Sequence, residues 1–210
     1  MKEPGQINDG SVSKTVEYKT SECSYLSQKF TNYLFLIRKF SVGHKLLPNS
    51  VMTIVSKKML KTIGSALIAK KQTIAVAESV TSGCLQLALS NIPDAADFYQ
   101  GGLTAYNLQQ KYKHLDVEPV HAAVVNSVSQ QVANEMALHI CKQFGSDWGI
   151  GVTGYATPVE ESGNRIFAYY AIAYRGKIKL NGSINPRKAK PEQIQFRYAD
   201  YILKKLSTLL

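Results

Sequence analysis

The chain has 210 residues, a hydrophobic fraction of 45% and a formal net charge of +10, enough for one globular domain and an extension. Cys23, Cys84 and Cys141 lie far apart and no CxxC or Cys/His spacing occurs, so neither a disulfide framework nor a metal site is indicated, and a reducing, cytoplasmic setting is expected. Mapping removes the first impression of a nucleic-acid binder: residues 73–174 hold Lys111, Lys113, Lys142 and Arg165 against nine carboxylates, and the basic excess sits in the flanks with no aromatic-interleaved motif, so no nucleic-acid partner is expected.

Met1 to Ser24 is polar and aperiodic, the composition of a disordered segment. Tyr33–Ile37 is apolar but far too short to span a membrane, and it follows a long polar leader without a cleavage site, so no membrane association and no signal peptide are expected. Residues 1–51 therefore read as a dispensable extension and 52–210 as the domain, with Met52 standing just ahead of the first amphipathic pattern. Ile54, Leu60, Ile63, Leu67 and Ile68 mark one face of a helix with lysines opposite. Thr73–Ala77 reads as a buried strand, followed by a helix from about Ser82 to Ser90. Asn91–Asp94 is a turn in which Asp94 is a candidate cap. Gly101–Tyr106 reads as a second strand, and Asn107–Leu115 as a helix. Ser129 caps a longer helix with Val132, Met136 and Ile140 on one face. Asp147–Thr153 is strand-like, Ile166–Tyr174 and Lys177–Ile184 form a hairpin about Arg175-Gly176, and Ile194–Leu206 is a closing helix. Strands alternating with helices and ending in a hairpin predict an α/β fold, a three-layer α/β/α sandwich around a mixed sheet.

Three strand ends carry polar residues. The first, Glu78-Ser-Val-Thr-Ser-Gly83, turns a strand straight into a helix, which leaves backbone N–H groups suited to an anion or an oxyanion; simple N-capping by Ser79, Thr81 or Ser82 uses the same residues. The second is Ala105-Tyr-Asn-Leu-Gln-Gln-Lys111 and the third Val152-Thr-Gly-Tyr-Ala-Thr-Pro158. Singly, Lys111 reads as a solvated helix lysine, Tyr106 as a packing residue and Thr153-Gly154 as turn chemistry. Glu78 has two open roles, orienting Lys111 or tying down its own turn. Pro158–Gly163 reads as a mobile loop at the rim. Ligands bind at the carboxyl ends of strands in open α/β sheets, so the three turns are expected to converge.

Together and in this order, the three segments resemble the C-terminal domain of the CinA family, the nicotinamide mononucleotide amidases, whose pattern is close to E-S-C-T-G-G, then A-Y-S-N-x-x-K, then V-T-G-x-A-G-P. The likeness runs from about Thr53 to the C-terminus. It implies a homodimeric Ser–Lys amidohydrolase that needs neither metal nor organic cofactor. Its reaction would turn nicotinamide mononucleotide and water into nicotinic acid mononucleotide and ammonia. On the matching positions it makes Ser79 the nucleophile, Lys111 its base, Tyr106 their neighbour and Thr153 the third-loop member. Glu78, Thr81, Ser82, Gly83, Gly154 and Arg187 would surround the substrate, with N–H groups at the start of the Ser82 helix holding the oxyanion. The chain departs from the pattern at Val80, Ser82, Tyr155 and Thr157. It also lacks the family's Gly-Asp-Arg, in whose place Asn185–Pro191 offers Arg187, Lys188 and Lys190 for a phosphate. Those departures support a second expectation, a nucleotide-binding or regulatory protein that keeps the pocket without efficient turnover.

Overall fold

A computed structural model describes residues 56–210; the expectations for residues 1–51 lie outside the described residues. Helix α1 (Lys57–Ala69) buries Ile63 and Leu67 and turns its lysines outward, as an amphipathic pattern requires. Strand β1 (Ile74–Glu78) is buried along its whole length. Then come helix α2 (Cys84–Ser90), a 3-10 turn (Ala95–Asp97), β2 (Tyr99–Thr104) and the helices α3 (Leu108–Leu115), α4 (Pro119–Val124) and α5 (Gln130–Phe144). Strand β3 (Trp148–Tyr155), a second 3-10 turn (Glu160–Ser162), the hairpin β4 (Phe167–Tyr174) and β5 (Lys177–Ile184), and helix α6 (Pro191–Ser207) complete the chain.

The strands form one sheet in the order β2-β1-β3-β4-β5. β1 is parallel to both β2 and β3, whereas β4 is antiparallel to β3 and β5. Strand alternation sends Ile74 and Val76 to one face, where they meet Leu67, Leu85, Ile194 and Ile202 of α1, α2 and α6. Ala75 and Ala77 face the other way, towards Leu115, Ala122, Val132 and Met136 of α3, α4 and α5. The sheet is thus covered on both faces, and the expected three-layer α/β/α arrangement is present. Close packing of α5 depends on Gly149 and Gly151. A Cβ at Gly151 would lie 2.3 Å from the Ala133 carbonyl oxygen, and one at Gly149 2.3 Å from that of Ala137.

Several boundaries differ from the sequence reading, each for a local reason. Helix α2 begins at Cys84 because Ser82 and Gly83 hold left-handed backbone, with φ of 47° and 98°. β2 stops at Thr104, so Tyr106 lies beyond the strand. Asp94 precedes the 3-10 turn with a left-handed φ of 59°, but its side chain makes no cap hydrogen bond. Helix α4 has no counterpart in the periodicity because it is short. Its start is marked by Pro119, where the Glu118 carboxylate accepts from the backbone N–H groups of Val120 and His121. The hairpin turn does occur at Arg175-Gly176, both at positive φ, as a two-residue turn between right-twisted strands demands.

From β1 the chain crosses to β2 on one side, and from β2 it returns past β1 to β3 on the other. The carboxyl ends of β1 and β3 therefore flank the switch in strand order, where α/β sheets open a crevice.

Candidate functional site

Ser79 follows β1 directly and continues the alternation of Ala75 and Ala77, which places it on the α3–α5 face. Lys111 sits in the middle of α3 on that face. The helix starts at Asn107, whose side chain accepts from the Gln110 N–H at 3.0 Å, so the cap fixes the register that aims Lys111 inward. Lys111 Nζ donates to Ser79 Oγ at 2.9 Å and to the Tyr106 carbonyl at 3.1 Å. Both side chains are enclosed, Lys111 only 1% exposed and Ser79 6%. No carboxylate forms an ion pair with Lys111 among the described residues. Burial without a counter-charge lowers the ammonium pKa to about 8.

Glu78, open to two roles in the sequence, ties down its own turn. One carboxyl oxygen accepts from the N–H groups of Gly83 and Leu85, each at 3.1 Å, and the other from Gln86 N–H at 2.9 Å. The donors at the start of α2, expected to hold an oxyanion, are therefore occupied by an internal anion. Ser82 N–H bonds Ser79 O and Cys84 N–H bonds Thr81 O. The N–H groups of Val80 and Thr81 have no partner among the described residues. Thr81 Oγ1 is buried and also without a partner among them. Cys84, beside this turn, is no competing nucleophile: burial, and secondarily the Glu78 carboxylate, pushes its thiol up to about 11, which keeps it protonated.

The remaining expected residues divide. Thr153 is fully buried on the same face and donates its hydroxyl to the Ser127 carbonyl at 2.8 Å. The β1–β3 ladder ends at the Ala77–Gly151 pair, two residues before Ser79 and Thr153. Gly154 lies tight against β4, where a Cβ would come 2.4 Å from the Phe167 carbonyl oxygen. The Tyr106 ring, by contrast, is 76% exposed; its carbonyl oxygen meets Lys111 while its phenol does not close the ring of residues. Ser82 Oγ bonds Ser79 O at 3.3 Å and is met by Gln195 Nε2 of α6 at 3.4 Å. Arg187 is exposed in the loop between β5 and α6, and its carbonyl accepts from Arg197. That loop leaves β5 at the carboxyl edge shared with β1 and β3 and leads into α6.

Sequence reading missed Asn126. It stands with Ser127 in consecutive left-handed conformations, φ 48° and 59°, and its amide donates to the Tyr155 hydroxyl at 3.1 Å. The signal was the Asn-Ser pair between two helices, since Asn tolerates left-handed backbone better than most residues.

Among the described residues no cluster of His, Cys, Asp and Glu could hold a metal ion, and no helix is long and apolar enough to cross a membrane.

Comparison with known proteins gives a consistent result. The family model of the CinA C-terminal domain matches residues 56–210. A CinA-like protein of Synechocystis sp. is 41% identical over 96 residues, which is 46% of this chain and 23% of that protein. One from Trichodesmium erythraeum is 38% identical over 100 residues, 48% of this chain and 24% of that protein. The chain thus spans about a quarter of the length of these curated relatives. Among solved structures, a CinA superfamily protein from Escherichia coli superposes with a TM-score of 0.70 at 27% identity, covering 76% of this chain and 92% of that one. Competence damage-inducible protein A from Klebsiella pneumoniae gives a TM-score of 0.69 at 29% identity, covering 73% of this chain and 96% of that one.

Proposed function

The chain belongs to the CinA C-terminal domain family, and from that premise we propose that it is an amidohydrolase with Ser79 as nucleophile and Lys111 as general base. The observation that carries this reading is the buried 2.9 Å contact between Lys111 Nζ and Ser79 Oγ. A serine hydroxyl is a weak nucleophile until a nearby base takes its proton. A lysine serves when desolvation brings its pKa towards neutrality, as here to about 8. Neutral Lys111 would accept the Ser79 proton as Oγ attacks the amide carbon, then return it to the departing ammonia; water would repeat the sequence on the acyl-enzyme. The carbonyl of Tyr106 orients the amine throughout. With the α2 donors taken by Glu78, the Val80 and Thr81 N–H groups are the ones left in the turn to meet the oxyanion.

The substrate we infer is nicotinamide mononucleotide or a related carboxamide, with Arg187, Lys188 or Lys190 available for a phosphate at the same sheet edge. A homodimer and a cytoplasmic setting complete the proposal. The exposed position of Arg187 and the engagement of Glu78 support the second reading, a binding protein with the same pocket.

Ammonia release from nicotinamide mononucleotide by the purified chain decides between them. Turnover should rise with pH through about 8, because only neutral Lys111 can act. Ser79→Ala and Lys111→Ala should each abolish nearly all of it, with the double variant hardly worse, since the two groups act as a unit. Binding of the mononucleotide with no ammonia from the unaltered chain would establish the second reading instead.

A further inference from the structure

The amino edge of the sheet, opposite the end that holds Ser79, carries a groove that the proposed chemistry leaves unused. Helix α5 ends there at Phe144, which packs on Gly101 near the start of β2, before β3 begins at Trp148. The groove opens where the carboxyl ends of α3 and α5 meet, has a volume of about 340 Å³, and is lined by Lys113, His114, Asp116, His139, Lys142 and Gln143. Cations are scarce in this part of the chain. Residues 73–174 hold four Lys/Arg, and two of them, Lys113 and Lys142, meet here from different helices. His114 and His139 join them, two of the four histidines in the chain. Lys113 is two residues past Lys111, about 200° further round the helix, so it is exposed while Lys111 is buried.

Helix-end carbonyls that would repel an anion here are already engaged. Asp116 N–H bonds the carbonyls of Lys111 and Tyr112, and Gly145 N–H those of Cys141 and Lys142. His139 Nδ1 donates to the Leu115 carbonyl, which fixes the ring and leaves Nε2, an acceptor in the neutral imidazole, without a partner among the described residues. Neither Lys113 nor Lys142 forms an ion pair among the described residues. The lining therefore offers two kinds of contact. The ammonium groups of Lys113 and Lys142 suit an oxyanion; the Asp116 carboxylate and His139 Nε2 accept from hydroxyl groups. Cations in the last turn of a helix also complement its dipole, but that role requires neither a shared groove nor an anchored imidazole. The groove holds many times the ~30 Å³ of one water, room for a phosphate with a small organic group attached.

We propose that this groove binds a small hydroxylated phosphate monoester, with Lys113 and Lys142 on the phosphate and Asp116 and His139 on the hydroxyl groups. Such a ligand bridges α3 to α5, which already pack on each other, and so braces the helix that carries Lys111. The site lies outside the amidohydrolase machinery and does not rest on that reading.

Calorimetric titration of the full chain with glycerol phosphate, and with inorganic phosphate for comparison, tests this at constant ionic strength. Glycerol phosphate should bind about tenfold more tightly than inorganic phosphate, the equivalent of one added hydrogen bond to a charged group. Lys113→Gln and Lys142→Gln change exposed residues and should each weaken it about fivefold, the scale of an exposed charge contact. Lys61→Gln removes an equal charge from α1, on the other face of the sheet, and should leave binding unchanged. Asp116→Gly preserves the left-handed backbone at that position and should lower the preference for glycerol phosphate about fivefold. The proposal is overturned by an absence of binding, by no preference for glycerol phosphate, or by a preference that Asp116→Gly leaves intact. It is also overturned if either lysine variant binds normally or if Lys61→Gln weakens binding as much. Weakening by Arg187→Ala would overturn it as well, by placing the phosphate at the β5–α6 loop. None of these measurements depends on turnover, so failure here is distinct from failure of the amidohydrolase reading.

Discussion

At the scale of single residues, the site is organised by two buried ionisable groups with opposite solutions to burial. Glu78 is satisfied by three backbone N–H donors, whereas Lys111 has a hydroxyl and a carbonyl but, among the described residues, no counter-charge. Glu78→Gln keeps the volume but replaces an acceptor oxygen with an amide donor facing N–H groups. It should cost about 2–4 kcal/mol, read as a lower denaturant midpoint. For Lys111 the linkage has a definite sign. Its folded-state pKa of about 8 lies below the ordinary 10.5, so the unfolded chain binds the extra proton between those values. The burial cost is fully present below pH 8 and is relieved as pH rises towards 10.5. Lys111→Met removes it. The stability advantage of that variant over the unaltered chain should therefore shrink by roughly 3 kcal/mol across this interval. Comparing the two chains isolates Lys111 from the buried tyrosines and cysteines, whose own titrations both chains share. A pH-independent gap would mean that Lys111 is not desolvated.

At the scale of elements, β3 and α5 are held together by the absence of side chains. Gly149 and Gly151 let the helix backbone rest on the strand, with Ala133, Ala137 and Cys141 filling the remainder of the interface. The same contact sets the height of the α4–α5 loop over the strand end, and hence the Thr153–Ser127 and Tyr155–Asn126 hydrogen bonds. Gly151→Ala would press a methyl against the Ala133 carbonyl and the Ala137 nitrogen, 2.3 and 2.6 Å away. Both are backbone atoms that no rotamer change can move. A loss of at least about 3 kcal/mol in chemical denaturation is expected, and a neutral result would show that α5 can shift on the sheet.

For the whole molecule, the buried clusters of the described residues run from Ile63 to Leu206, and the family match covers 56–210. A chain shortened to begin at Met52 keeps every residue of these clusters and should unfold at the same denaturant concentration as the full chain. A markedly lower midpoint would assign residues 1–51 a part in stability.

The sequence by itself determined the α/β class, the chain order of most elements and the family, because these follow from local patterns: alternating Ile74–Ala77, the Ser129 cap, the positive-φ Arg175-Gly176 turn and three motifs in order. It also brought Ser79 and Lys111 forward as a pair, through the resemblance those motifs carry. Tertiary structure alone decided what each polar group touches. Glu78 could have faced Lys111 or the helix start, and the choice fell to the strand alternation that sends it to the α2 side. Tyr106 shares a motif with Lys111 yet points to solvent, because β2 ends two residues before it and only its carbonyl turns inward. Asn126 carries no periodic signal at all. It matters because the parallel pairing of β1 with β3 and the seat of α5 on two glycines bring a loop from one end of α4 to the side of Tyr155. Local patterns set elements, but contacts between residues far apart in sequence depend on sheet order and on how closely helices approach the strands.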